Sequence, residues 1–279
     1  MSGATLAIGT AVAMTAFAGN SLLCRLALQQ GTIDAASFTS VRLASGALFL
    51  AWLLHRRARP QRGNWPSALA LWAYAAAFSF AYLGLSAATG ALILFGSVQL
   101  TMTGTGLVSG ERLHGTQWLG LVLAFAGIVY LLLPGVAAPQ GHSAWLMAAA
   151  GVAWGVYSLR GRGSSDALAD TASNFVRSVL PALAVSALVL AWQPVHAEPQ
   201  GLLLALASGA LTSGAGYAVW YSVLPRLAAT QAATVQLCVP VLAAVGGVIF
   251  LGEALSLRLV VAAVVVLSGV GLVTLYRRR

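Results

Sequence analysis

The sequence predicts an all-α membrane protein of ten transmembrane helices, arranged as two inverted five-helix repeats with both termini in the cytoplasm. Three observations predict this class. Of the 279 residues, 59% are hydrophobic and 8% are charged, whereas a soluble domain carries about 25% charged residues. Arginines gather in every second gap between apolar runs, and one Gly-Glu pair recurs in each half of the chain. The composition therefore excludes a soluble monomer.

Ten apolar runs approach the ~20 residues that a helix needs to cross a bilayer. No basic segment precedes the first run, so we predict a spanning helix there and not a removable signal peptide. Capping and helix-breaking residues such as Asp34, Ser143 and Pro134 lie in or beside the gaps. The predicted spans cover residues 4–24, 35–55, 65–85, 87–108, 116–133, 144–160, 170–192, 201–223, 228–250 and 257–276.

The distribution of arginine predicts the orientation. With the N-terminus inside, eleven of the fifteen basic residues fall in cytoplasmic segments, and only Arg25 and Arg258 fall in outer ones. Short loops rich in arginine stay on the cytoplasmic side. We therefore expect an integral plasma membrane protein, in a bacterial inner membrane, with both termini cytoplasmic. The net charge of +9 then reflects topology, and no nucleic-acid partner is expected.

The two halves of the sequence resemble each other. The stretches "SGERLHG" (109–115) and "LGEALSL" (251–257) place their Gly-Glu pairs 142 residues apart, each between two apolar runs. Arg42 and Arg177 lie in the second span of each half. Because five spans is an odd number, the second copy must enter from the opposite side, as in many secondary transporters. Chance similarity between Ala- and Gly-rich helices is the alternative. The predicted repeats are residues 1–138 and 139–279.

A family resemblance rests on the end of each half. Residues 235–273 resemble the end of an EamA-type member of the drug/metabolite transporter superfamily, with a proline in the ninth span, Gly-Glu before the tenth and a Gly-rich tenth span. Residues 98–129 resemble the end of the first EamA repeat, although the fourth span lacks a proline. With the segments 82–89 and 223–230, the resemblance covers essentially the whole chain. It implies a ten-helix transporter of small metabolites, and similar members include exporters of amino acids.

Polar and aromatic residues inside the spans are the candidate substrate-binding residues, because uncharged polar groups facing lipid without a partner are unfavourable. Phe78 and Tyr82 share one face of the third span, and Tyr217 and Tyr221 share one face of the eighth. Ordinary helix packing is the alternative explanation. The full set is Asn20, Phe78, Tyr82, Gln99, Trp154, Tyr157, Tyr217, Tyr221 and Gln236.

Two arginines and two prolines inside spans need separate explanations. Arg42 and Arg177 lie about two helical turns into their spans, where a charge is costly unless it snorkels or finds a partner. Snorkelling is one reading, and a gate or a site for a substrate carboxylate is the other. Pro181 and Pro240 are candidate hinges, since proline kinks a helix, although static bends are equally compatible.

The acidic residues indicate the transport mechanism. No predicted span carries a carboxylate near its middle, and Glu111 and Glu253 are expected to have a structural role, at the first turn of the following helix. Proton-coupled pumps usually use embedded Asp, Glu or His. We therefore expect a facilitative secondary transporter that exports small neutral or zwitterionic metabolites, such as aromatic and other amino acids, by alternating access through a central cavity. The alternatives are a carrier of an anion resembling a nucleotide sugar and a proton-coupled drug exporter.

An enzyme is not expected. No nucleophile with its base, pair of aspartates or metal cluster can be assembled inside the spans, and neither Cys24 nor Cys238 has metal-ligand spacing. We expect no cofactor and no metal. The expected partners are a small-molecule substrate and the lipid bilayer. The sequence does not determine the oligomeric state and is compatible with a monomer.

Overall fold

A computed structural model describes residues 3–55, 63–110, 113–133, 139–161, 164–192, 194–226, 235–236 and 238–275. Within these residues, ten helices occupy the positions of the ten predicted spans. Ile33 and Ala197 form an isolated antiparallel bridge between two loops. The helices are α1 (Gly3–Gln29), α2 (Ala35–Leu54), α3 (Trp65–Ala81), α4 (Ala87–Val108), α5 (Gly115–Leu132), α6 (Gly141–Gly161), α7 (Ala167–Leu190), α8 (Pro199–Val223), α9 (Cys238–Leu251) and α10 (Leu257–Leu275).

Six helices, namely α1, α2, α4, α5, α7 and α8, are long and apolar enough to cross a membrane, and α9 and the segment Leu257–Leu272 of α10 are shorter apolar helices. Large apolar side chains cover the outside of the molecule. Such a surface favours association or aggregation in water, but it matches lipid tails. Examples that are more than 60% exposed are Leu48, Leu180, Leu203 and Ile249.

Local sequence explains where several helices begin. The Asp34 carboxylate accepts a hydrogen bond from the backbone N–H of Ser37 at 2.8 Å and caps α2 as predicted. Asn64 caps α3 in the same way. The predicted cap at Ser143 was wrong, because α6 already begins at Gly141. Each cap satisfies one of the N–H groups that a helix start leaves without an intrahelical partner.

Helices α2 and α7, which are five positions apart in chain order, run antiparallel. Ser40 of α2 shares a hydrogen bond of 2.8 Å with Ser186 near the end of α7. Further along α2, Gly46 lies against Phe175 near the start of α7. The two helices therefore cross in opposite directions.

The contact between α5 and α10 is reciprocal. A Cβ atom on Gly127 would lie 3.1 Å from the backbone nitrogen of Val266, and one on Gly269 would lie 2.5 Å from the backbone nitrogen of Ala124. Shifting the first pair by the 142-residue offset and exchanging the two helices produces the second pair. Glycine at both positions lets the backbones approach closely, as small residues do in membrane helix pairs.

The recurring Gly-Glu pairs begin with the same backbone turn. Gly110, just beyond the end of α4, has a φ of 91°, and Gly252, directly after α9, has a φ of 64°. Only glycine adopts this left-handed conformation without strain, and it commonly terminates helices. The repeated glycine therefore has a structural cause. Glu111 lies outside the described residues.

Glu253 contacts a different helix from the expected one. Its carboxylate accepts a hydrogen bond from the backbone N–H of Ala87, the first residue of α4, at 2.8 Å and an ion-paired hydrogen bond from Arg25 at 3.1 Å. The Arg25 guanidinium also donates to the carbonyl oxygen of Tyr82 at 2.9 Å, just beyond α3. The prediction that Glu253 lies in the first turn of its own following helix was wrong, since α10 begins only at Leu257.

We expect replacement of Glu253 by alanine to lower the free energy of unfolding by about 1–3 kcal/mol, the usual cost of leaving a buried donor or charge unpaired. The Glu253 side chain is only 9% exposed, so solvent screens this interaction little. The midpoint of thermal unfolding in detergent measures the effect. Glu198→Ala is the control, because the Glu198 side chain is 56% exposed; equal midpoints for both variants would contradict the prediction.

Candidate functional site

A cavity lies among α1, α3, α4, α6 and α8. The empty space between its walls is about 370 Å³ when the part open to solvent is included. Its walls combine aromatic rings with uncharged polar groups. The lining residues are Phe17, Asn20, Ser21, Tyr74, Phe78, Leu94, Phe95, Trp154, Thr212, Ser213 and Tyr217.

Aromatic rings form one wall of the cavity. The ring centroids of Trp154 and Tyr217 are 5.4 Å apart in a stacked arrangement, and those of Trp154 and Tyr74 are 4.9 Å apart. Phe78 extends the wall, with its centroid 5.5 Å from that of Tyr74. Packed aromatic rings from α3, α6 and α8 form a rigid apolar surface against which a flat or apolar group can pack.

Arg42 of α2 lies directly behind this wall. The residue is 1% exposed, so it does not snorkel to the membrane surface. Its Nη2 atom donates to the Tyr74 hydroxyl at 3.1 Å, and its Nε atom donates to the Ser213 hydroxyl at 3.3 Å. The guanidinium carbon is 4.9 Å from the Phe78 ring centroid. Its Nη1 group has no hydrogen-bond partner among the described residues.

The charge of Arg42 has no carboxylate beside it. Among the described residues, the ion pairs join Arg25 to Glu253 and His196 to Glu198, and neither pair includes Arg42. The described acidic residues lie at helix ends or in loops. A unit charge about 6 Å away, at an effective dielectric constant near 20, changes a solute's energy by about 3 kcal/mol. The cavity therefore favours an anionic group and disfavours a cation.

The polar wall is built on a π-helical segment that the sequence did not predict. Residues Ser208–Ala215 of α8 form a π-helix, a form that is rare and frequent at functional sites. The Asn20 side-chain oxygen accepts a hydrogen bond from the Ser208 hydroxyl at 2.7 Å and lies 3.4 Å from the Thr212 hydroxyl. The Thr212 hydroxyl donates its shorter bond, of 2.8 Å, to the Ser208 carbonyl oxygen. These bonds hold Thr212 and Ser213 beside the cavity.

The predicted substrate-binding residues fall into three groups. Asn20, Phe78, Trp154 and Tyr217 line the cavity together. A second group packs directly behind or beside the lining rings: Tyr82 stacks edge-on against Phe78, Tyr157 lies next to Trp154, and Tyr221 lies 6.5 Å from Tyr217. Gln99 and Gln236 are partly exposed and are not among the lining residues.

Tyr82 and Tyr157 have protein partners of their own. The Tyr82 hydroxyl donates to the Ala87 carbonyl oxygen at 3.3 Å and joins the end of α3 to the start of α4. The Tyr157 hydroxyl donates to Thr171 at 3.1 Å and joins α6 to α7. In this conformation both side chains connect helices.

The structure places the other sequence candidates away from the lining. Arg177 is partly exposed and donates to the carbonyl oxygen and the hydroxyl of Ser173, one turn earlier in its own helix. Pro181 lies inside α7, which continues through it. Pro240 lies in α9 and is not among the lining residues.

Sequence reasoning missed Tyr74, Thr212 and Ser213. Tyr74 precedes Phe78 by four residues on α3, so the same-face spacing that selected Phe78 and Tyr82 could have found it. Thr212 and Ser213 gave no such signal, because their orientation depends on the π-helical turn. Small hydroxyl residues in an apolar helix commonly bond to their own backbone, as the Thr212 hydroxyl does to the Ser208 carbonyl oxygen at 2.8 Å, so their residue type alone does not indicate a site.

Comparison with known proteins identifies the family. Residues 142–275 match the EamA-like transporter family. An uncharacterized protein of Pseudomonas aeruginosa is 55% identical over 269 residues, which cover 95% of this chain and 92% of that protein. A protein known from a crystal structure has the same fold, with a TM-score of 0.64 and 22% identity over 97% of this chain and 99% of its own. The chain thus belongs to the EamA-like transporter family, whose members are membrane transporters of the drug/metabolite transporter superfamily.

Proposed function

We propose that this protein is a facilitative secondary transporter that exports small neutral or zwitterionic metabolites, foremost amino acids with aromatic side chains. The single observation that carries the proposal is the buried charge of Arg42 behind an aromatic cavity, with no carboxylate partner among the residues that the structure describes. A zwitterion offers a carboxylate to this charge, and an aromatic side chain offers a face to the rings of Trp154 and Tyr217. A purely cationic drug would meet about 3 kcal/mol of repulsion, roughly a hundredfold in affinity.

The proposed architecture is two inverted five-helix repeats, residues 1–138 and 139–279, around this cavity. Two observations support it: α2 and α7 run antiparallel, and the contact between α5 and α10 is reciprocal under one sequence offset. An axis that exchanges the repeats suits alternating access, because one repeat can rock against the other. We also propose an inner-membrane location with both termini cytoplasmic, which tags on each terminus would test by their accessibility to added protease.

Alternating access requires that one end of the cavity open and close. Arg25 lies one helical turn beyond the lining residue Ser21 on α1, and Tyr82 lies one turn beyond the lining residue Phe78 on α3. The pair of Arg25 with Glu253 joins these helix ends to the loop before α10. We propose that the pair closes this end and separates when the solute passes.

Flux into vesicles tests the function. Purified protein in liposomes is expected to move labelled phenylalanine down its own gradient with no ion gradient imposed, and phenethylamine, which lacks the carboxylate, much more slowly. Flux that requires an imposed proton gradient would overturn the facilitative mechanism. Faster movement of phenethylamine than of phenylalanine would overturn the proposed substrate class and favour a drug exporter.

A second candidate function is the transport of an anion such as a nucleotide sugar, and the same charge of Arg42 favours it. The vesicle assay separates the two candidates. If the protein carries anions, an anion without an ammonium group should inhibit or exceed the flux of phenylalanine.

A further inference from the structure

We propose that the hydroxyl groups of Tyr74 and Ser213 form the binding site for the carboxylate of the solute, and that Arg42 acts through them as a positioning residue. This inference rests on the proposed function. It assigns the direct contact to two residues that the sequence did not single out, and it begins from the direction in which each hydrogen bond runs.

Both hydroxyl oxygens already accept hydrogen bonds from Arg42. A guanidinium group has donors only, so Tyr74 and Ser213 must act as acceptors in their bonds of 3.1 Å and 3.3 Å to it. The Asn20 amide donates a further, longer bond of 3.5 Å to the Tyr74 hydroxyl. The structure records no hydrogen bond that either hydroxyl group donates to another described residue. Each hydroxyl can therefore donate its hydrogen to a bound solute.

Tyr74 and Ser213 both line the cavity, whereas Arg42 does not. A solute therefore reaches the positive charge through Tyr74 and Ser213. A carboxylate has two oxygens, each of which can accept a hydrogen bond from one hydroxyl group. Donation from the guanidinium into each hydroxyl oxygen polarises its O–H bond and strengthens it as a donor, as in other hydrogen-bond chains in a low dielectric. Two neutral donors backed by one buried cation thus suit an oxyanion.

The surrounding packing keeps the two donors in place. The Tyr74 ring lies between the Phe78 ring and the Trp154 ring, with centroids 5.5 Å and 4.9 Å away. Ser213 belongs to the π-helical segment, which is hydrogen-bonded to the Asn20 side chain through the Ser208 hydroxyl at 2.7 Å. A carboxylate bound here would place the rest of the solute against the aromatic wall.

Binding to the purified protein in detergent tests the assignment without relying on transport. The probes are phenylalanine and phenethylamine, and the readout is the shift of the thermal unfolding midpoint with probe concentration. We expect Tyr74→Phe and Ser213→Ala each to weaken phenylalanine binding roughly tenfold, which corresponds to about 1.4 kcal/mol. The weak binding of phenethylamine should stay unchanged, because it lacks the group that the hydroxyls contact.

The control is Tyr130→Phe, which removes a tyrosine hydroxyl from α5, where the residue is 42% exposed and is not among the lining residues. This variant should bind phenylalanine as the wild type does. Equal affinity in Tyr74→Phe and the wild type, equal losses for both probes, or no phenylalanine binding by the wild type would overturn the assignment. Binding that depends on both hydroxyls in a protein that carries no flux would instead overturn the proposed function alone.

Discussion

Replacing Arg42 by methionine is expected to remove the preference for carboxylates while leaving the protein at least as stable as the wild type. The charge is buried at 1% exposure with no carboxylate partner among the described residues. An isolated charge in a low dielectric costs several kcal/mol, and methionine fills a similar volume without that cost. Affinity for phenylalanine should fall about tenfold to a hundredfold, from the loss of about 1.5–3 kcal/mol of charge-assisted interaction.

Two measurements on the same Arg42→Met preparation check this expectation: phenylalanine binding and the midpoint of thermal unfolding. The matched control is Arg226→Met, which removes an exposed arginine beyond the end of α8 and should leave both quantities unchanged. A strongly lowered midpoint in Arg42→Met, together with lost binding, would show that Arg42 mainly supports the fold. The expected result, in contrast, is an arginine that lowers stability but supports binding, and such a trade of stability for function is common at binding sites.

Replacing Gly209 by alanine is expected to lower the stability of the protein strongly. A Cβ atom at this position would lie 2.1 Å from the carbonyl oxygen of Arg42 and 1.9 Å from the hydroxyl of Ser45. A backbone oxygen cannot move out of the way as the tip of a flexible side chain can, so α2 and α8 would have to separate. We expect a loss of about 3 kcal/mol, or a midpoint roughly 6–12 °C lower.

The same substitution at Gly104 provides the comparison. A Cβ atom there would meet nothing within 4 Å, so Gly104→Ala should leave stability unchanged or raise it by up to about 1 kcal/mol through helix propensity. Separation of α2 from α8 also lengthens the contact of Arg42 with Ser213, so Gly209→Ala should weaken phenylalanine binding. Similar unfolding midpoints for the two alanine variants would refute the close approach of the helices.

The helices were predictable because their cause is local. Apolar runs of sufficient length, capping residues such as Asp34 and the glycines at positions 110 and 252 mark helix starts and ends within a few residues. Four of the nine predicted substrate-binding residues line one cavity, since uncharged polar and aromatic groups in apolar helices need a place away from lipid.

The remaining features depend on contacts between residues distant in the chain. Glu253 meets Arg25 across 228 positions, so no local pattern could show that it closes the start of α4 instead of α10. The π-helical turn of Ser208–Ala215 changes which face of α8 meets the cavity, and helical spacing alone cannot foresee it. The burial of Arg42 likewise depends on contacts between distant residues, because it results from the packing of α2 against α3 and α8.

Sequence by itself determined the class of protein, the helices and the kinds of side chain available inside them, because hydropathy and capping act over a few neighbouring residues. Tertiary structure alone decided which of these side chains meet. It placed the cation of Arg42 behind the hydroxyls of Tyr74 and Ser213, since a hydrogen bond depends on distance and direction in space and not on spacing along the chain.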